Sequence, residues 1–129
     1  MKLKFTDFTD AYYLVIEADP YDPKVREAAK MLNSFWSGDD QRFSTAETEL
    51  DPEDADEPLV LLGAAGITIT DGAISAAISA DATDLESLKA WFARGQEGYP
   101  EDFTKHGITL VEWRIDLPST EDVSIEVLE

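Results

Sequence analysis

The sequence predicts an α+β fold: a single antiparallel sheet of about four strands, covered on one face by two or three helices. Three observations predict it. Both ends of the chain alternate apolar and polar residues, the period of half-buried strands. The middle carries apolar residues at helical spacing. The order of two strands, helices and two strands suits an N-terminal hairpin plus a C-terminal strand pair. A chain of 129 residues, 43% hydrophobic, is enough for one domain over 1–129 with a buried core.

Leu3 and Phe5 face one side of the first strand and Lys2, Lys4 and Thr6 the other, with Thr9-Asp10 as a turn. Tyr12-Tyr13-Leu14-Val15-Ile16-Glu17 is rich in the aromatic and β-branched residues that strands favour. The next segment opens a helix. Asp22 can accept the first free N–H groups, and Pro23 suits the first helical position because its missing N–H costs nothing there. Val25, Ala28, Ala29, Leu32, Phe35 and Trp36 form one apolar stripe, and Gly38 supplies a left-handed stop.

Residues 39–58 change character. Glu47, Glu49, Asp51, Glu53, Asp54, Asp56 and Glu57 crowd into eleven positions without a basic residue, next to Pro52 and Pro58. Self-repulsion at that density predicts a flexible, solvated acidic loop. Over residues 59–80 two readings stand. Ile67-Thr68-Ile69-Thr70 before Asp71-Gly72 reads as a hairpin. Leu59, Leu62, Gly63, Gly66, Ile67, Thr70, Ala73, Ile74, Ala77 and Ile78 instead fit a helical stripe of small apolar residues. The helix is favoured; the hairpin stays open.

Asp84 caps a further helix with Leu85, Leu88, Trp91 and Phe92 inward and Gly95 as its stop. Thr109, Val111, Trp113, Ile115 and Leu117 alternate on one strand, Pro118-Ser119-Thr120 turns the chain, and Val123, Ile125 and Val127 mark the last strand. Trp36, Trp91 and Trp113 all fall on faces expected to be buried.

The balance of 28 acidic against 10 basic residues gives a formal charge of −18. Such a surface repels nucleic acid and anionic membranes and attracts cationic partners. Lys24, Arg26 and Lys30 form the only basic patch, too small to neutralise several phosphates. The absence of cysteine excludes disulfides and thiolate metal sites. No apolar stretch is expected to reach the length of a membrane span, and no signal segment opens the chain, so the expectation is a cytoplasmic protein.

No catalytic constellation accompanies the charge. His106 is the only histidine, no Gly-x-Ser-x-Gly elbow is present, and both phosphate-binding glycine patterns are missing. The run Asp51-Pro52-Glu53-Asp54-Ala55-Asp56-Glu57 lacks the glycine and closing glutamate of a calcium loop. No metal and no cofactor are expected. Tyr99 and His106 are singled out because Gly98, Pro100 and Gly107 could present them on a rigid turn. The competing reading packs Tyr99 on Trp36 and lets His106 cap a turn.

Asn33-Ser34-Phe35-Trp36-Ser37-Gly38 resembles the Asn-x-Phe-Trp-Ser-Gly motif of an uncharacterised bacterial and phage family, a domain of unknown function. That family later carries Glu-Gly-Trp-Pro-Pro and then His-Gly-Ile. The counterparts here are Glu97-Gly98-Tyr99-Pro100-Glu101 and His106-Gly107-Ile108. The resemblance implies a long helix between the motifs and a phage or mobile-element setting, and it implies no activity.

The sequence therefore favours a non-enzymatic binding protein that acts on a basic or nucleic-acid-binding protein partner. The expected contacts are Glu47, Glu49, Asp51, Glu53, Asp54, Asp56 and Glu57, with Tyr99 and His106. Two alternatives stand: a small carboxylate-based or metal-dependent hydrolase, and a homo-oligomeric accessory protein. The oligomeric state is left open.

Overall fold

The structure, a computed structural model, describes residues 1–7, 11–115 and 123–128. The turns expected at Thr9-Asp10 and Pro118-Ser119-Thr120, and the inward Leu117, lie outside these residues. Strand β1 (Lys2–Asp7) pairs antiparallel with β2 (Tyr12–Glu17), setting Leu3 opposite Ile16 and Phe5 opposite Leu14. Strand β3 (Thr109–Ile115) adds to β2 and β4 (Val123–Val127) adds to β1, in the order β3-β2-β1-β4. The fold is α+β, with one antiparallel sheet.

The two C-terminal strands do not pair with each other. They extend the hairpin on opposite edges, where each continues its apolar face: Trp113 stands opposite Leu14 and Ile125 opposite Phe5. The β2–β3 pairing also slips between Val15 and Ile16, so that Val15 faces Glu112 and Ile16 faces Leu110. Val111 is the extra residue of a bulge. One extra residue shifts the alternation. Leu110 is therefore buried with Trp113 and Ile115, whereas Thr109 is exposed and Val111 half-buried, which corrects the unbroken alternation expected from Thr109.

Helix α1 (Pro23–Phe35) starts as expected, with the Asp22 carboxylate accepting from the Lys24 N–H and Pro23 in the first turn. Its stripe is buried through Val25, Ala28, Ala29 and Leu32. Phe35 and Trp36 stand out at 49% and 40% exposure, so the stripe ends one turn early. Gly38 has the left-handed backbone expected, φ +86°, but it is the N-cap of the next helix rather than the stop of α1.

That next helix, α2 (Asp39–Glu49), occupies most of the segment read as a flexible loop over 39–58. Its acids lie on the solvent side, while Ala46 is fully buried, within close reach of Gly63 on the following helix. Asp39 and Asp40 in the first turn complement the helix dipole. A small buried contact and a favourable first turn outweigh the charge density, and only the stretch before Glu57 remains a connector. Helices α2, α3 and α4 (Leu85–Ala93) lie on the sheet, within the two or three expected, and α1 packs on α3 (Glu57–Ala80).

Helix α3 (Glu57–Ala80) resolves residues 59–80 as one helix and not a hairpin. It is buried on almost every side, between α1, α2, α4 (Leu85–Ala93) and β1. Ile78, placed on the stripe by the sequence, is exposed at 63%. By length and composition α3 is long and apolar enough to cross a membrane, contrary to expectation. Yet 83% of its apolar window is buried within the protein, as befits a core helix.

Candidate functional site

The acidic run from Glu47 to Glu57 covers the end of α2, the connector and the start of α3, and several of its members hold the fold together. Asp51 accepts from the Glu53 N–H in a tight turn. Asp56 caps α3 through the Leu59 N–H and also accepts the Tyr21 hydroxyl. Glu57 forms a two-pronged ion pair with Arg26, which neutralises part of the basic group Lys24, Arg26 and Lys30 and holds the Glu57 carboxyl below the usual carboxylate range. Glu47, Glu49, Glu53 and Asp54 are exposed.

Tyr99 and His106 lie elsewhere. Tyr99 rests against Gly72, about 20 Å along α3 from Glu57 at 1.5 Å per residue, so the structure does not gather the expected contacts into one site. Tyr99 and His106 do come together, lining an apolar groove of about 300 Å³ with Met31, Phe35, Gly98 and Pro100. His106 ends a 3-10 turn, Phe103–His106, that Gly107 closes at φ +79°. Asp102 starts this turn. Its carboxyl is lowered by accepting from the Thr104 hydroxyl and N–H.

Tyr99 is half-buried rather than displayed. Its ring centroid is 5.2 Å from Phe92 and 6.0 Å from Trp36, and its hydroxyl donates to the Thr68 carbonyl at 2.9 Å. The packing on Trp36 weighed against a binding role is present. Gly72 makes the approach possible, because an added Cβ would lie 2.8 Å from the Tyr99 ring. Gly98, at φ +87°, performs the same service for Phe35 and Trp36.

On the other side of the Phe35–Trp36 ridge lies a larger groove, about 540 Å³, lined among others by Trp36, Trp91, Tyr99, Asp71, Glu97 and Arg42. Of the three tryptophans expected in the core, Trp113 is there, its indole N–H donating to the Ala82 carbonyl at 2.8 Å. Trp91 is half-buried and Trp36 exposed, and both belong to this groove.

Asp71 sits exposed on α3, in a concave stretch where the groove walls displace water. That desolvation raises its carboxyl above the ordinary range, and the charge of Arg42 pulls weakly the other way. Arg42 makes its own hydrogen bonds elsewhere. Its Nε donates to Asn33 Oδ1, Nη1 to the Ser37 carbonyl, and Nη2 to the carbonyls of Asn33 and Trp36. It closes the exposed end of α1 and ties down the segment from Asn33 to Ser37. No described residue makes a hydrogen bond or ion pair to the Asp71 carboxylate.

Asp71 and Arg42 escaped the sequence analysis, although each carries a signal. Asp71 is the one charge between Pro58 and Ala80, and Arg42 the one basic residue between Lys30 and Lys89. An isolated charge in an apolar or acidic run is a candidate for a fixed partner or a site.

The Tyr99 hydroxyl is pushed up to about 12, by burial first and then by the Asp71 charge. The folded state therefore favours the neutral phenol. The contribution is complete below the ordinary tyrosine value of about 10 and lost as pH rises through about 12. Tyr13 and Tyr21 are also raised, each by hydrogen bonding to a carboxylate. Comparison with Tyr99→Phe isolates the Tyr99 share: wild type is expected to lose melting temperature more steeply than Tyr99→Phe between pH 10 and 12. Parallel curves would contradict this.

Among the described residues no three Asp, Glu or His side chains converge as a metal site. The chain matches no known family model, no curated protein and no solved structure.

Proposed function

We propose that the protein is a non-enzymatic binding protein that docks a basic, nucleic-acid-binding protein, in a phage or mobile-element setting. One observation carries the reading: an exposed apolar ridge, Met31, Phe35 and Trp36, at 62%, 49% and 40% exposure, on a chain of charge −18. Apolar side chains clustered beside concave surface are the usual mark of an interaction site. Long-range attraction from the acids would speed encounter, and the ridge would supply contact area. The acidic residues around Asp51 and Asp54 serve steering more than contact, since the ridge lies away from them.

Affinity capture from the native host at low and high salt tests the reading. A basic protein retained at low salt and released at high salt is expected, with retention weakened by Trp36→Ala. Failure to retain any basic protein at either salt would overturn it. Direct nucleic-acid binding is not expected, and a gel shift with sub-micromolar affinity at physiological salt would contradict that.

A carboxylate-based hydrolase is the second reading, and one feature favours it: Asp71, with its raised carboxyl, and Glu97 line the same concave groove. Two carboxyl groups facing one groove, one of them raised, is an arrangement general acid–base chemistry uses. Turnover of a chromogenic glycoside or ester panel that disappears in Asp71→Asn would establish it; no turnover removes it.

A further inference from the structure

We propose that the groove over Asp71 seats a single arginine side chain presented by the basic partner. The assignment rests on the binding reading above and gives it a location. Trp36, Trp91 and Tyr99 line this groove, and Asp71 and Glu97 add two carboxylates. Aromatic faces attract a cation through their quadrupoles, and the attraction grows as the cation is desolvated. A carboxylate lining such a cleft adds a charge-assisted hydrogen bond.

The groove's own cation does not fill that role. Arg42 has committed Nε, Nη1 and Nη2 to Asn33, Trp36 and Ser37, so it lends Asp71 a field and no hydrogen bond. Asp71 is thus left without a hydrogen-bond donor among the described residues. The walls make its charged form unfavourable, and an arriving guanidinium would relieve that. Charge complementarity points the same way, because a basic partner meets a chain of −18.

Arginine fits better than lysine. Its planar fork can engage a carboxylate with two N–H groups while its face lies on an indole, and it is the more weakly hydrated cation. A lysine ammonium is a compact charge that would keep more of its water. The cavity, about 540 Å³, leaves room for an extended side chain and part of its backbone. The apolar groove beyond the ridge shares Tyr99, and would receive an apolar residue beside the arginine.

The test titrates the protein with three blocked heptapeptides, alternating glycine with arginine, lysine or glutamine, at physiological salt, following heat and tryptophan emission. The variants are Asp71→Asn, Trp36→Ala and the triple change Glu47→Gln, Glu49→Gln, Glu53→Gln. Melting curves verify that each variant keeps the fold, Asp71 being exposed and Trp36 packed at the surface on Phe35, Tyr99 and Gly98. The arginine peptide is expected to bind wild type more tightly than the lysine peptide, and the glutamine peptide not at all.

Asp71→Asn should weaken the arginine peptide about tenfold or more, the value of a lost charge-assisted hydrogen bond. Trp36→Ala should weaken it about fivefold. The triple variant removes more charge, yet should change affinity less than about threefold, as distant screened charges do. Equal affinity for Asp71→Asn and wild type, with loss in the triple variant, would overturn the groove assignment and leave the basic-partner reading standing. Equal affinity for lysine and arginine peptides would overturn the choice of arginine. No binding of either basic peptide by wild type would overturn both readings together.

Discussion

Gly66→Ala is expected to destabilise the protein by about 2 kcal/mol, lowering the melting temperature by roughly 8 °C, although alanine is the better helix former. Gly66 lies on the sheet side of α3, and an added Cβ would fall 2.0 Å from Phe5 Cζ, 2.5 Å from Cε1 and 2.7 Å from Cε2. The tip of the ring occupies the place a side chain would take. Phe5 has no room to withdraw: it is fully buried, on an interior strand paired with β2 on one side and β4 on the other.

Alanine should gain about 1 kcal/mol from helix propensity. Overpacking a rigid core costs about 1–3 kcal/mol and sometimes more, and an overlap beyond 1 Å belongs at or above the upper end. Packing wins. The comparison site is Gly63, where the nearest atom to an added Cβ is the Ala46 methyl at 3.1 Å and a small shift suffices. Gly63→Ala should therefore cost much less. In the Gly66→Ala background, shortening the ring by Phe5→Leu should restore part of the loss, so that the double variant is more stable than the summed single effects predict. Chemical denaturation of the four proteins decides it. A Gly66→Ala protein as stable as wild type would show that the sheet and α3 can separate freely, against the packing described.

Much of this architecture was legible because its signals are local. Asp22-Pro23 and Asp84 announce their helices through the backbone groups they satisfy, and the Lys2–Thr6 alternation follows from one buried face. What escaped depends on contacts between distant segments. The phase of β3 turns on a bulge opposite Val15, and nothing within Thr109–Ile115 records it. The helix over Asp39–Glu49 is fixed by Ala46 against Gly63 and by Arg42 against α1, so its composition alone reads as solvated.

The candidate site shows the same division. Tyr99 and His106 were picked out from loop chemistry, and they do line one groove. The acidic run was picked out from charge density, but Asp56 and Glu57 are engaged at the start of α3 and the run lies far from Tyr99. Trp36 was expected inside because it continues the α1 stripe. It projects instead because the helix stops at Phe35 and the chain turns into extended backbone, a change no periodicity encodes.

Arg42→Ala should have the other large effect, about 3 kcal/mol of destabilisation, and should disturb the groove as well as the fold. The last carbonyls of a helix lack intrahelical partners, and α1 has no glycine cap to supply them. Arg42 substitutes for one, reaching back from α2 to the carbonyls of Asn33, Trp36 and Ser37. Water can replace it at the exposed Trp36 and Ser37 carbonyls. It can do so far less well at Asn33, which is buried and whose amide oxygen also accepts from Arg42. Hydrogen bonds to a charged donor contribute about 1.5–3 kcal/mol each when the acceptor is buried, and less when water competes. The two Asn33 contacts dominate the expected loss. Arg42→Lys should recover little, because one ammonium cannot span acceptors that the planar fork reaches together. Urea denaturation of Arg42→Ala, Arg42→Lys and Asn33→Ala provides the check. Arg42 and Asn33 share these bonds, so the double variant should lose less than the sum of the two single losses. Additive losses, or an Arg42→Ala protein within about 0.5 kcal/mol of wild type, would mean that the corner between α1 and α2 is held by something other than this guanidinium.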